Sequence, residues 1–170
     1  AMLSTDTARL LAGYNRWCNE RLYRAAADLT GAELGADRGV FFGSMLGTLN
    51  HLLVADRIWL RRFTGTGDAP DRLDAILFED FAELQQARQA EDARISHWID
   101  GLTDHDLDSP ISYRSLSDPR EFTQKLGAAL LHVFNHQTHH RGQAHAILTG
   151  FGRAAPGFDL VTYQRETGHS

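Results

Sequence analysis

Apolar residues recur at three-and-four spacing from about Ser4 to Leu29, at Leu10, Leu11, Tyr14, Trp17, Cys18, Leu22, Ala25 and Leu29, which predicts a first amphipathic helix. Thr30 followed by Glu33 has the form of a capping box that opens one short turn, and Gly35 to Gly43 reads as a loop. Ser44 is the N-cap expected for a second helix carrying Met45, Leu49, Leu52, Leu53, Ile58, Trp59, Leu60 and Phe63 up to Gly65-Thr66-Gly67. Its apolar face is wide, which predicts deep burial. After a long connection through Pro70, Asp80 with Glu83 caps a third helix that carries Phe81, Leu84, Ile95, Trp98 and Ile99 and ends at Gly101. Ile111, Tyr113 and Phe122 flank Ser117-Asp118-Pro119, a segment that fits either a short hairpin or a loop. A fourth helix is predicted from about Gln124 to Leu148, with Gly150 and Gly152 as its stop signal.

Four long amphipathic helices joined by unequal loops predict an all-α four-helix bundle. No repeat, low-complexity tract or Pro/Gly-rich linker divides the chain, so 1–170 reads as a single domain large enough to bury a core. Ala1 ahead of Met2 reads as a residue left by an expression tag. The 17 Lys and Arg are scattered and the formal net charge is -5, which excludes a concentrated basic face for nucleic acid. No window approaches the roughly 18 apolar residues of a membrane span, and the N-terminus lacks a basic stretch leading into an apolar one. The single cysteine, Cys18, permits no internal disulfide and agrees with a cytoplasmic location.

Nine histidines are the unusual feature, and five of them fall between His132 and His145. On the fourth helix the core-facing stripe runs Leu126, Ala129, Leu130, Val133 and then His136, His140, Ala144 and Ile147, so two histidines interrupt an apolar face. Residues four apart project from one side of a helix, about 6 Å apart along its axis, from which two imidazoles can converge on one ion. Two buried neutral imidazoles would leave ring nitrogens in need of partners, whereas a divalent metal accepts a lone pair from each. His51, set among Leu49, Leu52, Leu53 and Val54, is the best candidate for a third ligand. Three histidines leave an open coordination position, as in catalytic zinc sites. His139 competes as a ligand, His132 lies one turn before His136, and His145 points elsewhere. His97, His105 and His169 read as solvated.

These residues carry a family resemblance. Tyr14-Asn15-Arg16-Trp17, then His51 with Asp56 and Trp59, and finally His136-Gln137-Thr138-His139-His140-Arg141-Gly142-Gln143 resemble the motifs of the DinB/YfiT-like family of bundle metalloproteins. The closing H-x-x-x-H-R-G-Q is the most specific, and it implies a metal triad of His51, His136 and His140, with His140 rather than His139 as the ligand. The resemblance further implies an up-down-down-up bundle with a long connection between the second and third helices, and frequently a homodimer. Members of the family include thiol-dependent S-transferases that use low-molecular-weight thiols, and maleylpyruvate isomerases.

Around the triad, Asp56 either supports the site or forms a structural ion pair with an arginine. Asn135 and Gln143 could hold a second ring nitrogen or a substrate, or merely be solvated. Arg141 could meet an anionic substrate group, with an interhelical salt bridge as the other use. Trp17, Trp59 and Tyr14 read as core residues, and Cys18 as an inert buried thiol. The expected function is an enzyme acting on a small molecule, with a divalent metal, zinc or nickel, that activates a thiol co-substrate. The alternatives are a metal-dependent hydrolase with Asp56 moving the proton, or a non-catalytic metal-binding stress-response dimer.

Overall fold

The structure is a computed structural model that describes residues 2–169, so Ala1, read as a tag residue, lies outside them. Four long helices form as the periodicity predicts: α1 (Thr5–Ala26), α3 (Met45–Thr64), α4 (Phe81–Asp100) and α6 (Leu126–Gly150). Their starts are fixed by side chains that satisfy otherwise orphaned backbone donors. Ser4 accepts from the amide of Thr7, Ser44 from that of Gly47, and Asp80 from that of Glu83. Thr30 and Glu33 form a full capping box at the short α2 (Gly31–Gly35). Gly65, at φ +73°, closes α3 in the left-handed conformation that glycine adopts without strain.

Three features depart from the expected four helices and loops. Of the two conformations open to the segment after Pro110, the hairpin forms: β1 (Pro110–Arg114) pairs antiparallel with β2 (Glu121–Lys125), with Tyr113 opposite Phe122. Gln124 and Lys125 are therefore strand residues, and α6 begins at Leu126 rather than Gln124. A short α5 (Asp104–Asp108), capped by Thr103 and Asp106, precedes the hairpin. The C-terminal α7 (Leu160–Thr167) has no counterpart in the expected elements; it docks through Tyr163, whose ring packs edge-on against Tyr14 and Trp17.

Two apolar clusters fill the bundle. One joins Ala8 and Ala12 of α1, Leu60 of α3, Ile95 and Ile99 of α4, and Leu126, Leu130 and Phe134 of α6. The other joins Leu22 and Ala26, Met45 and Leu49, Leu84, and Ala144 and Ile147 of the same four helices. At positions midway along these helices lies a belt of buried polar residues: Asn15, Asn19, Asp56, Arg88, Asp92, Gln137 and Arg141. His51 and His140, also buried, stand beside this belt on α3 and α6, which pack against each other.

Candidate metal centre

His51, His136 and His140 come together across the α3–α6 contact, each offering one ring nitrogen, with these atoms all within 4.8 Å of one another. The Nε2 atoms of His51 and His136 are 3.1 Å apart. Two nitrogens bound to one tetrahedral ion at roughly 2.0–2.1 Å would be about 3.3 Å apart, so this spacing fits a shared cation. Two of the three second ring nitrogens are already committed. Nδ1 of His51 donates to the Leu73 carbonyl at 2.9 Å, and Nδ1 of His140 faces Oε1 of Gln143 at 2.7 Å. A ring that donates from Nδ1 keeps its Nε2 lone pair free, so both contacts set the tautomer a metal ligand needs. Burial pushes His51 down to about 4 and His136 down to about 3, and lowers His140 as well; the rings are neutral at pH 7. The donor set therefore fits a divalent ion without prior loss of protons.

Neighbouring segments hold the rings in place. Phe42 stacks on His51 with centroids 3.7 Å apart and meets His140 edge-on. Gly47 makes that approach possible, because a β-carbon there would lie 2.2 Å from the Phe42 carbonyl oxygen. Asn50 pins the long α3–α4 connection: its Oδ1 accepts from the amides of Leu77 and Phe78, and its Nδ2 donates to the Phe78 carbonyl. That connection carries Leu73 to His51. Beside the triad opens a cavity of about 170 Å³ lined by Trp59, Arg62, Leu73, Leu116, His132 and the rings of His51 and His136.

A model of the DinB family matches residues 2–169. The chain belongs to the DinB family. Among curated proteins it is similar to Protein DinB of Bacillus subtilis (strain 168), 25% identical over 169 residues that cover 96% of this chain and 98% of that one. Among solved structures it is similar to YfiT from Bacillus subtilis, with a TM-score of 0.68 at 14% identity over 89% of this chain and 91% of that one. YfiT is described as a probable metal-dependent hydrolase with an unusual four-helix bundle topology. A DinB-like protein from Bacillus cereus ATCC 10987 superposes with a TM-score of 0.61 at 19% identity, over 83% of this chain and 90% of that one. These likenesses establish the shared fold.

The DinB motifs now have physical roles. Arg141 is buried and pairs with no acidic group among the described residues; its Nη1 donates to Oδ1 of Asn15 at 2.7 Å, and its guanidinium lies 5.3 Å from the Tyr14 ring centre. Two of the motifs are thus tied to each other across α1 and α6. Tyr14, buried as expected, donates its hydroxyl proton to the Phe158 carbonyl, and burial pushes its pKa up to about 12. Arg16 is exposed beside Glu20, and the half-buried Trp17 donates to Glu166 of α7. Of the two roles open to Asp56, the ion pair is the one that forms: Oδ2 accepts from Arg88, and Oδ1 accepts from Gln137 at 2.6 Å. Asn135 is exposed, as is His139, whose ring stacks on that of His140. Cys18 is fully buried, and burial raises its pKa, as suits an inert thiol.

Trp59 corrects the expectation of a core aromatic. It is half-buried, lines the cavity beside the triad, and meets Tyr113 of β1 edge-on. Phe42, Asn50, Arg62 and His132 also belong to the site and were not found by sequence reasoning. Helical period points to a face, but the loop and hairpin that complete this wall come from distant parts of the chain. Gln143→Leu should lower zinc affinity about 10–100-fold by freeing the His140 ring, as metal titration with a chromogenic chelator would show; unchanged affinity would remove Gln143 from the site.

Proposed function

We propose that the chain is a metal-dependent enzyme in which His51, His136 and His140 hold a divalent ion, zinc or nickel, that activates a low-molecular-weight thiol for transfer to a small electrophile. The observation that carries this reading is the convergence of three neutral imidazoles at the edge of a cavity. Bound there, a divalent ion supplies an open coordination position and lowers the pKa of a thiol or water that takes it. The chain's own residues do the rest. Leu73 and Gln143 fix the rings of His51 and His140, Phe42 covers His51, and Trp59, Leu73 and Leu116 give the cavity an apolar wall.

Hydrolysis is the second reading, favoured by the likeness to YfiT. It needs a group placed to move a proton from water, usually a carboxylate. Among the described residues no Asp or Glu lines the cavity, and both oxygens of Asp56 are engaged by Arg88 and Gln137. A thiol must also lose its proton. With an ordinary pKa of about 8.5, against about 15.7 for water, it can release that proton to solvent on binding an ion without a carboxylate beside it, and we favour thiol transfer for that reason. The wider reading takes 1–170 as one domain acting in the cytoplasm, as its length and composition suggest, and as a homodimer, an expectation that rests on the family resemblance. It also takes the bundle as up-down-down-up. The two apolar clusters support that order, since the starts of α1 and α6 meet the ends of α3 and α4 in one, and the opposite ends meet in the other.

The test loads the protein with zinc and offers a bimane electrophile with a panel of low-molecular-weight thiols, and separately a nitrophenyl ester. Conjugation that requires zinc and is lost in His136→Ala supports the transferase. Ester hydrolysis without conjugation establishes the second reading instead, and a zinc-loaded protein inert in both assays leaves a metal-holding role.

A further inference from the structure

Arg62 stands on the wall of the cavity that His51 and His136 also line, and no carboxylate shares that cavity with it among the described residues. Its guanidinium lies over the rings of Trp59 at 4.5 Å and Tyr113 at 4.7 Å, which fix its plane. Nη2 donates to the Arg114 carbonyl at 3.0 Å, and among the described residues no acidic group pairs with the side chain. Half-burial of a guanidinium without a counter-ion is unfavourable, and burial does lower its pKa. Beside it, His132 lies 5.4 Å from Trp59 and 5.8 Å from His136 between ring centres. Arg62 therefore brings a positive charge to a cavity that no carboxylate lines among the described residues.

We propose that Arg62 is the anchor for a carboxylate on the substrate, so that the molecule reaching the triad is a small carboxylic acid whose apolar or unsaturated body lies against Trp59, Leu73 and Leu116. A singly charged, planar carboxylate matches the guanidinium fork in both charge and shape. At about 170 Å³ the cavity falls below the roughly 300–1,000 Å³ of drug-sized pockets, which limits the acid to a small one. The anion-reading role considered for Arg141 thus passes to Arg62, since Arg141 is sealed in the core against Asn15. The inference rests on the reading of His51, His136 and His140 as a metal centre only in placing the acid beside the ion; the anchor itself is made by Arg62 and its aromatic neighbours.

Equilibrium titrations of the full chain, both metal-free and zinc-loaded, with benzoate, benzamide and inorganic phosphate, followed by tryptophan fluorescence, test it. Benzoate should bind both forms at least about ten-fold more tightly than its neutral amide or phosphate, in keeping with a charge-assisted fork. Arg62→Gln should abolish that preference while zinc content and melting temperature stay as in the parent. Arg62→Lys, which keeps the charge but not the fork, should weaken benzoate about three-fold or more, and it serves if Arg62→Gln fails to fold. The proposal is overturned if the parent binds none of the probes, if benzoate and benzamide bind alike, if phosphate matches benzoate, or if the variants retain the preference. Arg62-dependent benzoate binding in a protein that takes up no zinc would overturn the metal reading and uphold the anchor.

Discussion

Asp56→Ala should destabilise the protein by about 3–5 kcal/mol, because it removes one counter-charge from a buried arginine. Asp56 is fully buried on α3, and its carboxylate joins three helices by accepting from Arg88 of α4 and Gln137 of α6. Arg88 also pairs with Asp92 at 2.8 Å, and Asp92 accepts from Asn19 of α1 at 3.1 Å, so all four long helices share one buried polar network. Burial opposes the charge of Arg88, and Asp92 and Asp56 more than offset it, holding the guanidinium above its ordinary pKa. Without Asp56 that charge keeps one partner, and the Gln137 amide keeps only the Leu52 carbonyl at 3.2 Å. Urea denaturation measures the loss. A triple variant that removes all three charges, Asp56→Leu with Arg88→Met and Asp92→Asn, should recover much of it, since the cost lies in the stranded charge. A loss below about 1 kcal/mol for Asp56→Ala would show that the network contributes little.

Zinc at a thousand times its dissociation constant should stabilise the fold by about 4 kcal/mol, and at roughly 2–4 °C per kcal/mol raise the melting temperature by about 8–16 °C. The ion would sit among three ring nitrogens that already converge, two of them 3.1 Å apart. His136→Leu should erase the zinc effect. A zinc-induced rise that survives in His136→Leu would place the ion elsewhere.

The same rings set a pH dependence of the metal-free protein. His51 and His136 are pushed down to about 4 and 3 by burial, against 6.5 unperturbed. Between pH 6.5 and 4 the unfolded chain binds protons that the folded chain refuses, so stability rises with pH across that window. Thermal melts should show a falling melting temperature below pH 6.5 and a plateau above about 7. His136→Leu should flatten the slope.

The long helices were legible because their apolar stripes and caps are local; Ser44, Asp80 and the Thr30–Glu33 box act where the sequence places them. The four-residue spacing of His136 and His140 is likewise a local signal, and Gln143 lies one turn from His140, within reach of its Nδ1. What escaped was non-local. Arg62 gains its meaning from Tyr113 and Leu116 on the hairpin, which period-two alternation too short to separate from a loop could not place. The Leu73 carbonyl reaches His51 only because Asn50 pins a connection with no periodicity of its own. Asp56 and Arg141 looked like site residues through their nearness in sequence to histidines, yet both side chains turn into the core, towards Arg88 and Asn15. The eight residues of α7 are too few for a periodic pattern, and the aromatic packing of Tyr163 places them.

The most direct test of the central claim is the metal content of protein purified without a nickel column, measured by mass spectrometry for the parent, His51→Ala, His136→Ala, His140→Ala and His139→Ala. A site with three histidine ligands predicts about one ion per chain in the parent and in His139→Ala, and almost none in the other three. A parent that takes up no metal at micromolar supply, or a site that survives His140→Ala and fails in His139→Ala, would contradict it.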